Sequence, residues 1–208
     1  MGDHDIVIDG VPLKVKVVDC AKVVDDLIPH YFNGQDVFGL DFKVFRKEYN
    51  MIKCLHAKIL IISAASRCLV IHMGLISKSL KKFLEDSKNC FVLVQQAEKF
   101  PSVASGDELW KLRGVGCCEL AYRVLKNPGL KKSGVKDIAQ EVGVTYEDAY
   151  ASSSKLVVFD IICREKYEKI VVDDPAYDKV LTTEEVKMVV YDPFKCYTIA
   201  SKLLSSLK

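Results

Sequence analysis

The spacing of apolar residues changes period in a definite order along this chain. Residues 5–18, DIVIDGVPLKVKVV, carry short β-branched runs on either side of Asp9-Gly10, a pair suited to a tight hairpin turn, and so predict two short strands. Residues 19–32, DCAKVVDDLIPHYF, move to helical spacing, with Asp19 placed to cap the helix. Residues 36–45, DVFGLDFKVF, predict a first central strand. The apolar, β-branched stretches HAKILIISAA (56–65) and RCLVIHM (67–73) predict a strand pair joined by a tight turn. SKSLKKFLEDS (77–87) is an amphipathic helix with Leu80, Phe83 and Leu84 on one face, and CFVLVQQ (90–96) is another buried strand.

The pattern then turns helical. GDELWKL (106–112) predicts a short helix and CCELAYRVLK (117–126) a longer one. GVKDIAQEVGV (134–144) predicts a third, with Val135, Ile138 and Val142 facing inward. Residues 152–174 admit two readings, because the serines at the start suit a helix cap while KLVVFDII is β-like. In the closing stretch, 182–207, Thr182 and Glu185 form a capping box ahead of an apolar stripe of Val186, Val189, Val190, Phe194, Tyr197 and Leu204. Pro193 falls inside this stretch and is expected to kink the helix or divide it in two. Strands, a helix, a strand and then helices describe an α/β domain with helices packed on a mixed sheet. One domain over residues 1–208 is expected, extended by the hairpin at about 5–18.

Composition narrows this picture. A chain of 208 residues, 50% hydrophobic, is long enough for one sizeable core. A formal net charge of +2 excludes a general polyanion binder. Basic residues cluster at 77–88 and 125–134, where solvated faces are the default. The start, MGDHDIVIDG, is acidic where a secretory signal is basic, and it lacks the Ser or Thr of a myristoylation signal. No apolar run approaches the ~20 residues of a membrane span. The eight cysteines have no CxxC spacing, and Cys117 and Cys118 are adjacent. That suits small buried thiols in a reducing, intracellular compartment, cytoplasm or nucleus, better than disulfides or a metal site.

The candidate chemistry starts at VFGLDFKVF (37–45). Side chains two apart on a strand point the same way, so Asp41 and Lys43 share one face. This stretch, with RCLVIHMGLISKSLKKFLEDSKNCFV (67–92), CCELAYRVLKNPGLKKSGVKDIAQEVGV (117–144) and VLTTEEVKMVVYDPFKCYTIASKLL (180–204), resembles the plant Werner-type 3′–5′ exonuclease-like proteins. These belong to the DEDD group, and the resemblance spans most of the chain. It implies an RNase H-like α/β fold with a mixed five-stranded sheet flanked by helices, and a site where carboxylates hold two divalent metals, Mg²⁺ or Mn²⁺.

The resemblance also assigns the site residue by residue. Active members carry Asp-x-Glu at the end of the first strand; here Asp41 matches the aspartate and is expected at that strand's end, and Lys43 stands in place of the glutamate. That exchange alters the local charge by two units, and at about 4 Å the repulsion of a metal is a few kcal/mol even at an effective dielectric of about 20. The second family aspartate aligns either with Lys99 or with Asp107, for which an N-cap is a sufficient role. The third motif, Tyr-x-x-x-Asp, reads Met188 to Asp192: Asp192 survives, Met188 replaces the tyrosine, and Tyr191 lies three positions on. A thioether cannot orient water as a phenol does. His56 and His72 have no cluster partners and are expected to be structural.

These substitutions argue against catalysis. Asp41 and Asp192 are expected as remnants with Lys43 bridging them, because a buried carboxylate pair needs a compensating cation. The domain is then expected to be a pseudo-exonuclease acting as a protein-binding module. The alternatives are a single-stranded nucleic-acid binder and an exonuclease with residual activity, using one weakly held Mg²⁺ or Mn²⁺ on Asp41 and Asp192. Lys81, Lys82, Lys131 and Lys132 mark the surface expected to meet a partner.

Overall fold

The computed structural model describes residues 2–49, 52–72, 77–94, 114–147, 157–159 and 181–207, with the backbone alone at 43–49, 52–58 and 157–159. Two strands, β1 (Gly2–Ile8) and β2 (Val11–Val18), form an antiparallel hairpin. Asp9 and Gly10 turn it with φ of 50° and 78°. Positive φ at both turn residues gives the twist that suits a two-residue hairpin. Helix α1 (Ala21–Tyr31) follows. Then come β3 (Val37–Tyr49), β4 (Ile52–Ala64) and β5 (Arg67–His72). Helix α2 (Lys78–Glu85) leads into β6 (Cys90–Leu93). Short strand β7 (Gly114–Gly116) runs directly into α3 (Cys117–Leu125). A 3₁₀ turn (Pro128–Lys132), α4 (Val135–Val142), β8 (Val157–Phe159) and α5 (Thr183–Ser205) complete the order.

All eight strands join one sheet in the order β1-β2-β5-β4-β3-β6-β7, with β8 paired to β3 off this path. The five strands β5-β4-β3-β6-β7 make the mixed core: β3 is antiparallel to β4 and parallel to β6. The hairpin adds to the outer edge through parallel pairing of β2 with β5. This is a mixed, helix-flanked sheet of the kind that the resemblance implies.

Alternation along the strands sorts the core into two sides. Phe38, Leu40 and Phe42 of β3 face α1 and α2, where Phe32, Phe83 and Phe91 pack around them. The opposite side carries α5, whose first half packs on the hairpin, β4 and β5 through Val186, Val189, Val190 and Phe194. Its second half joins α3 and α4 through Cys196, Ile199, Ala200 and Leu203. The capping box forms as expected: Glu185 N–H donates to Thr182 Oγ1 at 3.2 Å, and Thr182 N–H donates to Glu185 Oε2 at 2.8 Å.

Several expectations are corrected. Of the two outcomes expected of Pro193, a kink or a division, division does not occur: α5 is one helix with the proline inside it, and buried residues on both sides hold the turns together despite the missing N–H donor. Asp19 does not cap α1, because the N-cap is Cys20 and has no side-chain cap bond; β2 ends at Val18 and leaves Asp19 one position too early. Asp41 lies inside β3 rather than at its end, since the strand continues to Tyr49 against β4. The basic runs 77–88 and 125–134 do not form one surface. Leu80 and Leu84 of α2 anchor the first on the α1 side, whereas Leu130 anchors the second on the α5 side. Of the ambiguous stretch 152–174, residues 157–159 are strand, and the expected helix at 106–112 lies outside the described residues.

One close approach sets the spacing of α5 on the sheet. A Cβ placed on Gly39 would lie 1.8 Å from the Pro193 carbonyl oxygen and 2.8 Å from the Tyr197 backbone nitrogen. The helix backbone therefore rests directly on β3. Gly39→Ala forces strand and helix apart and is expected to cost about 3 kcal/mol, read as a lower denaturant midpoint at unchanged m-value.

A second tie pins the hairpin turn. Lys195 of α5 is 2% exposed, and its ammonium pairs with the Asp9 carboxylate. Burial holds this lysine at about 8, below the ordinary range. Removing the anion with Asp9→Ala leaves a buried cation and is expected to cost about 3 kcal/mol near neutral pH. Because the native lysine then sheds its proton before the unfolded one does, the unfolded state binds more protons between the two pKa values. Without its anion the native lysine sheds its proton earlier than the paired one does, so the deficit of Asp9→Ala narrows as pH rises toward about 8 and stays level above it, measured by urea unfolding of both proteins on either side of that pH.

Candidate functional site

Gly39 and Asp41 are two apart on β3 and point to the same side, toward α5. With Pro193 and Tyr197 seated over Gly39, Asp41 comes to the stretch of α5 that starts at Asp192. The Cys196 thiol, one turn beyond Asp192, registers the arrangement. Burial raises its pKa well above the ordinary value, and contact with Cys117 and then the charges of Asp192 and Asp41 raise it further. Asp41, Asp192 and Cys196 therefore share one electrostatic neighbourhood. Asp41 also sits just past the parallel ladder, whose last pair is Leu40 with Leu93.

Both carboxylates are engaged by the protein itself. Asp41 is 4% exposed, and its Oδ1 accepts from the Phe42 N–H at 2.8 Å. Asp192 is half-buried, and its Oδ1 accepts from the Tyr146 hydroxyl at 2.7 Å. Burial, and then the Asp192 charge, hold the Tyr146 phenol protonated far above its ordinary range. The Tyr146 ring meets the edge of Tyr191 at 5.1 Å. Tyr191 is buried, and its hydroxyl accepts from the Glu147 N–H. Tyr191 therefore faces the segment after α4. Met188 lies on α5, half-buried, one turn before Asp192.

Of the other candidates, Lys43 is placed by backbone only, paired with Ile59 of β4, and its expected bridge lies outside the described side chains. Asp107 and Lys99 both lie outside the described residues, and so does the side chain of His56. His72 closes β5, and burial lowers its pKa against the opposing pull of Asp19. Tyr146 and Lys195 were not legible as site residues. Lys195 had a signal, standing four residues after Tyr191 among buried positions of the last helix. Tyr146 had none, because an irregular segment carries it.

A two-metal site draws on about four carboxylates that leave oxygens open to the ions. Among the described residues, no three of His, Cys, Asp and Glu converge as metal ligands. Phe42 N–H on Asp41 and Tyr146 on Asp192 each take one carboxylate oxygen, and two carboxylates are fewer than such a pair of ions draws on; the side chains of positions 43, 99 and 107 lie outside the described ones. Among the described residues, no helix is long and apolar enough to cross a membrane.

No family model and no curated protein matches the chain. Solved structures do. Escherichia coli RNase D, an exoribonuclease involved in structured RNA processing, superposes with a TM-score of 0.56 at 16% identity over 92% of this chain. The chain spans 44% of that structure's length. A nuclease in its apo form superposes with a TM-score of 0.50 at 14% identity, over 93% of this chain and 80% of its own. At such identities the likeness is one of fold: the chain has the architecture of an exonuclease domain.

Proposed function

We propose that the chain is a degenerate 3′–5′ exonuclease-like domain that does not cleave nucleic acid and serves as a protein-binding module. The observation that carries this reading is the engagement of the two described acidic residues of the site by protein donors, Phe42 N–H on Asp41 and the Tyr146 hydroxyl on Asp192. The sequence adds Lys43 where the resemblance places a carboxylate and Met188 where it places a phenol. A cation in a metal-binding position opposes the ions whose charge would polarise a phosphodiester. A fold kept without its ligand set retains its surfaces, and surfaces are what a binding module needs.

The likeness to RNase D favours a second reading. In it the domain keeps weak single-stranded nucleic-acid binding, or slow exonuclease activity with one Mg²⁺ or Mn²⁺ on Asp41 and Asp192. The exposed lysines Lys81, Lys82, Lys131 and Lys132 are available for either class of partner. Since they lie on two faces, each pair is a separate candidate surface.

Purified protein with Mg²⁺ or Mn²⁺ is expected to leave single-stranded and recessed-end DNA and RNA intact. Lys43→Glu with Met188→Tyr is expected not to restore full activity. Metal-dependent digestion by the unaltered protein, abolished by Asp41→Ala, establishes the second reading instead. In a pull-down from nuclease-treated native extract, a protein partner is expected to persist and to be lost on reversing Lys81 and Lys82, or Lys131 and Lys132, to Glu. Nucleic-acid association is expected to be weak and to fall steeply between two salt concentrations, as counterion release requires.

A further inference from the structure

The residues that follow α4 run back along α5 and are bonded to it at nearly every position. Gly143 ends α4 in the left-handed conformation, and its carbonyl accepts from Lys202 Nζ at 3.0 Å. The Thr145 carbonyl accepts from Lys195 Nζ at 2.6 Å. Tyr146 donates to Asp192, and the Glu147 N–H donates to the Tyr191 hydroxyl. Positions 202, 195, 192 and 191 are met in descending order as 143 to 147 ascend, so the segment is antiparallel to the helix. The lengths agree. Eleven residues of α5 rise about 16 Å, and four extended residues reach about 13 Å, with the long Lys202 side chain closing the difference.

This segment buries little of itself. Gly143, Thr145 and Glu147 are exposed, and Tyr146 is half-buried. Val144, also half-buried, and Tyr146 pack against the core beside α5, Tyr146 with one aromatic edge contact. The exposed remainder is held by polar bonds, so the segment belongs to the part of a fold that opens locally without global unfolding. The bond from Tyr146 to Asp192 is the one that reaches a carboxylate, and such charge-assisted bonds are stronger than neutral ones.

We propose that Gly143–Glu147 is a strap that closes the acidic neighbourhood of Asp41 and Asp192, with the Tyr146 hydroxyl as its clasp. This rests on the reading of that neighbourhood as the remnant of an exonuclease site and adds how access to it is controlled. A cation or cationic partner group that reaches this oxygen of Asp192 competes with the Tyr146 hydroxyl for it. Tyr146 is a positioning residue in this scheme, with no chemical step of its own.

Hydrogen exchange at the Glu147 amide and carbodiimide labelling of Asp192, both read by mass spectrometry on the full chain, test the strap. Tyr146→Phe is expected to accelerate both about tenfold, the scale of one lost hydrogen bond to a charged group, while the β4 amides keep their protection. If Tyr146→Phe fails to fold, Lys202→Met, at the exposed end of the strap, is expected to speed exchange at residues 145–147 several-fold. Unchanged exchange and labelling in a folded variant overturn the proposal, and so does an equal acceleration in β4, which signals global loosening. Nuclease assays on the unaltered protein judge the remnant reading separately, because labelling reports access to Asp192 and not cleavage.

Discussion

The contact between Gly39 of β3 and the backbone of α5 is the constraint on which the rest of the arrangement depends. A glycine facing a helix removes the layer of side chains that normally separates helix from sheet, and the Pro193 carbonyl occupies the space a Cβ would need. Such a contact fixes the helix in height and along its axis. It places Asp192 next to the face that Asp41 shares with Gly39, and sets Lys195 beneath the hairpin turn, where it meets Asp9. The two acidic residues are therefore held together by packing, whether or not they have chemistry to perform.

Elements with a clear period were legible because their signals are local. The hairpin turn, the amphipathic faces of α2 and α4, and the capping box of α5 follow from a few neighbouring residues each. The failures share a different cause. Pro193 argued for a kinked or a divided helix, and the helix is not divided, because tertiary packing on both sides of the proline outweighs one lost helical hydrogen bond. Asp19 has the right chemistry for a cap and misses by one position, since the end of β2 decides where α1 begins. Asp41 and Asp192 were singled out by the resemblance, whose motifs fall on two regular elements, β3 and α5. Tyr146 could not be, because its place is set by the left-handed turn at Gly143 and by bonds from residues 143–147 to partners 44 to 59 positions further along.

Lys195 shows how composition misleads at a buried site. A lysine in an amphipathic helix ordinarily marks the solvated face, but this one is buried among the apolar residues around it. It is tolerated because its three donor hydrogens have fixed partners nearby, the Asp9 carboxylate and the Thr145 carbonyl, and because the rings of Tyr191 and Phe194 lie within 5.9 Å of the charge. One cation thus ties α5 to the hairpin at one end of its reach and to the strap at the other.

The same logic extends to the acidic residues. Carboxylates gathered for metal ions repel one another until the ions arrive, so a pocket of that kind leans on its ligand for stability. Donors supplied by the chain change that balance. A hydrogen bond to a charged group contributes about 1.5–3 kcal/mol, and Asp41 and Asp192 each receive one from within the fold. An architecture shared with exonuclease domains can then persist without depending on a bound cation. The feature that carries this is a tyrosine on an irregular segment: Tyr146 reaches Asp192 across 46 positions of sequence, and it is the order of the chain around α5, not any local motif, that brings the two together.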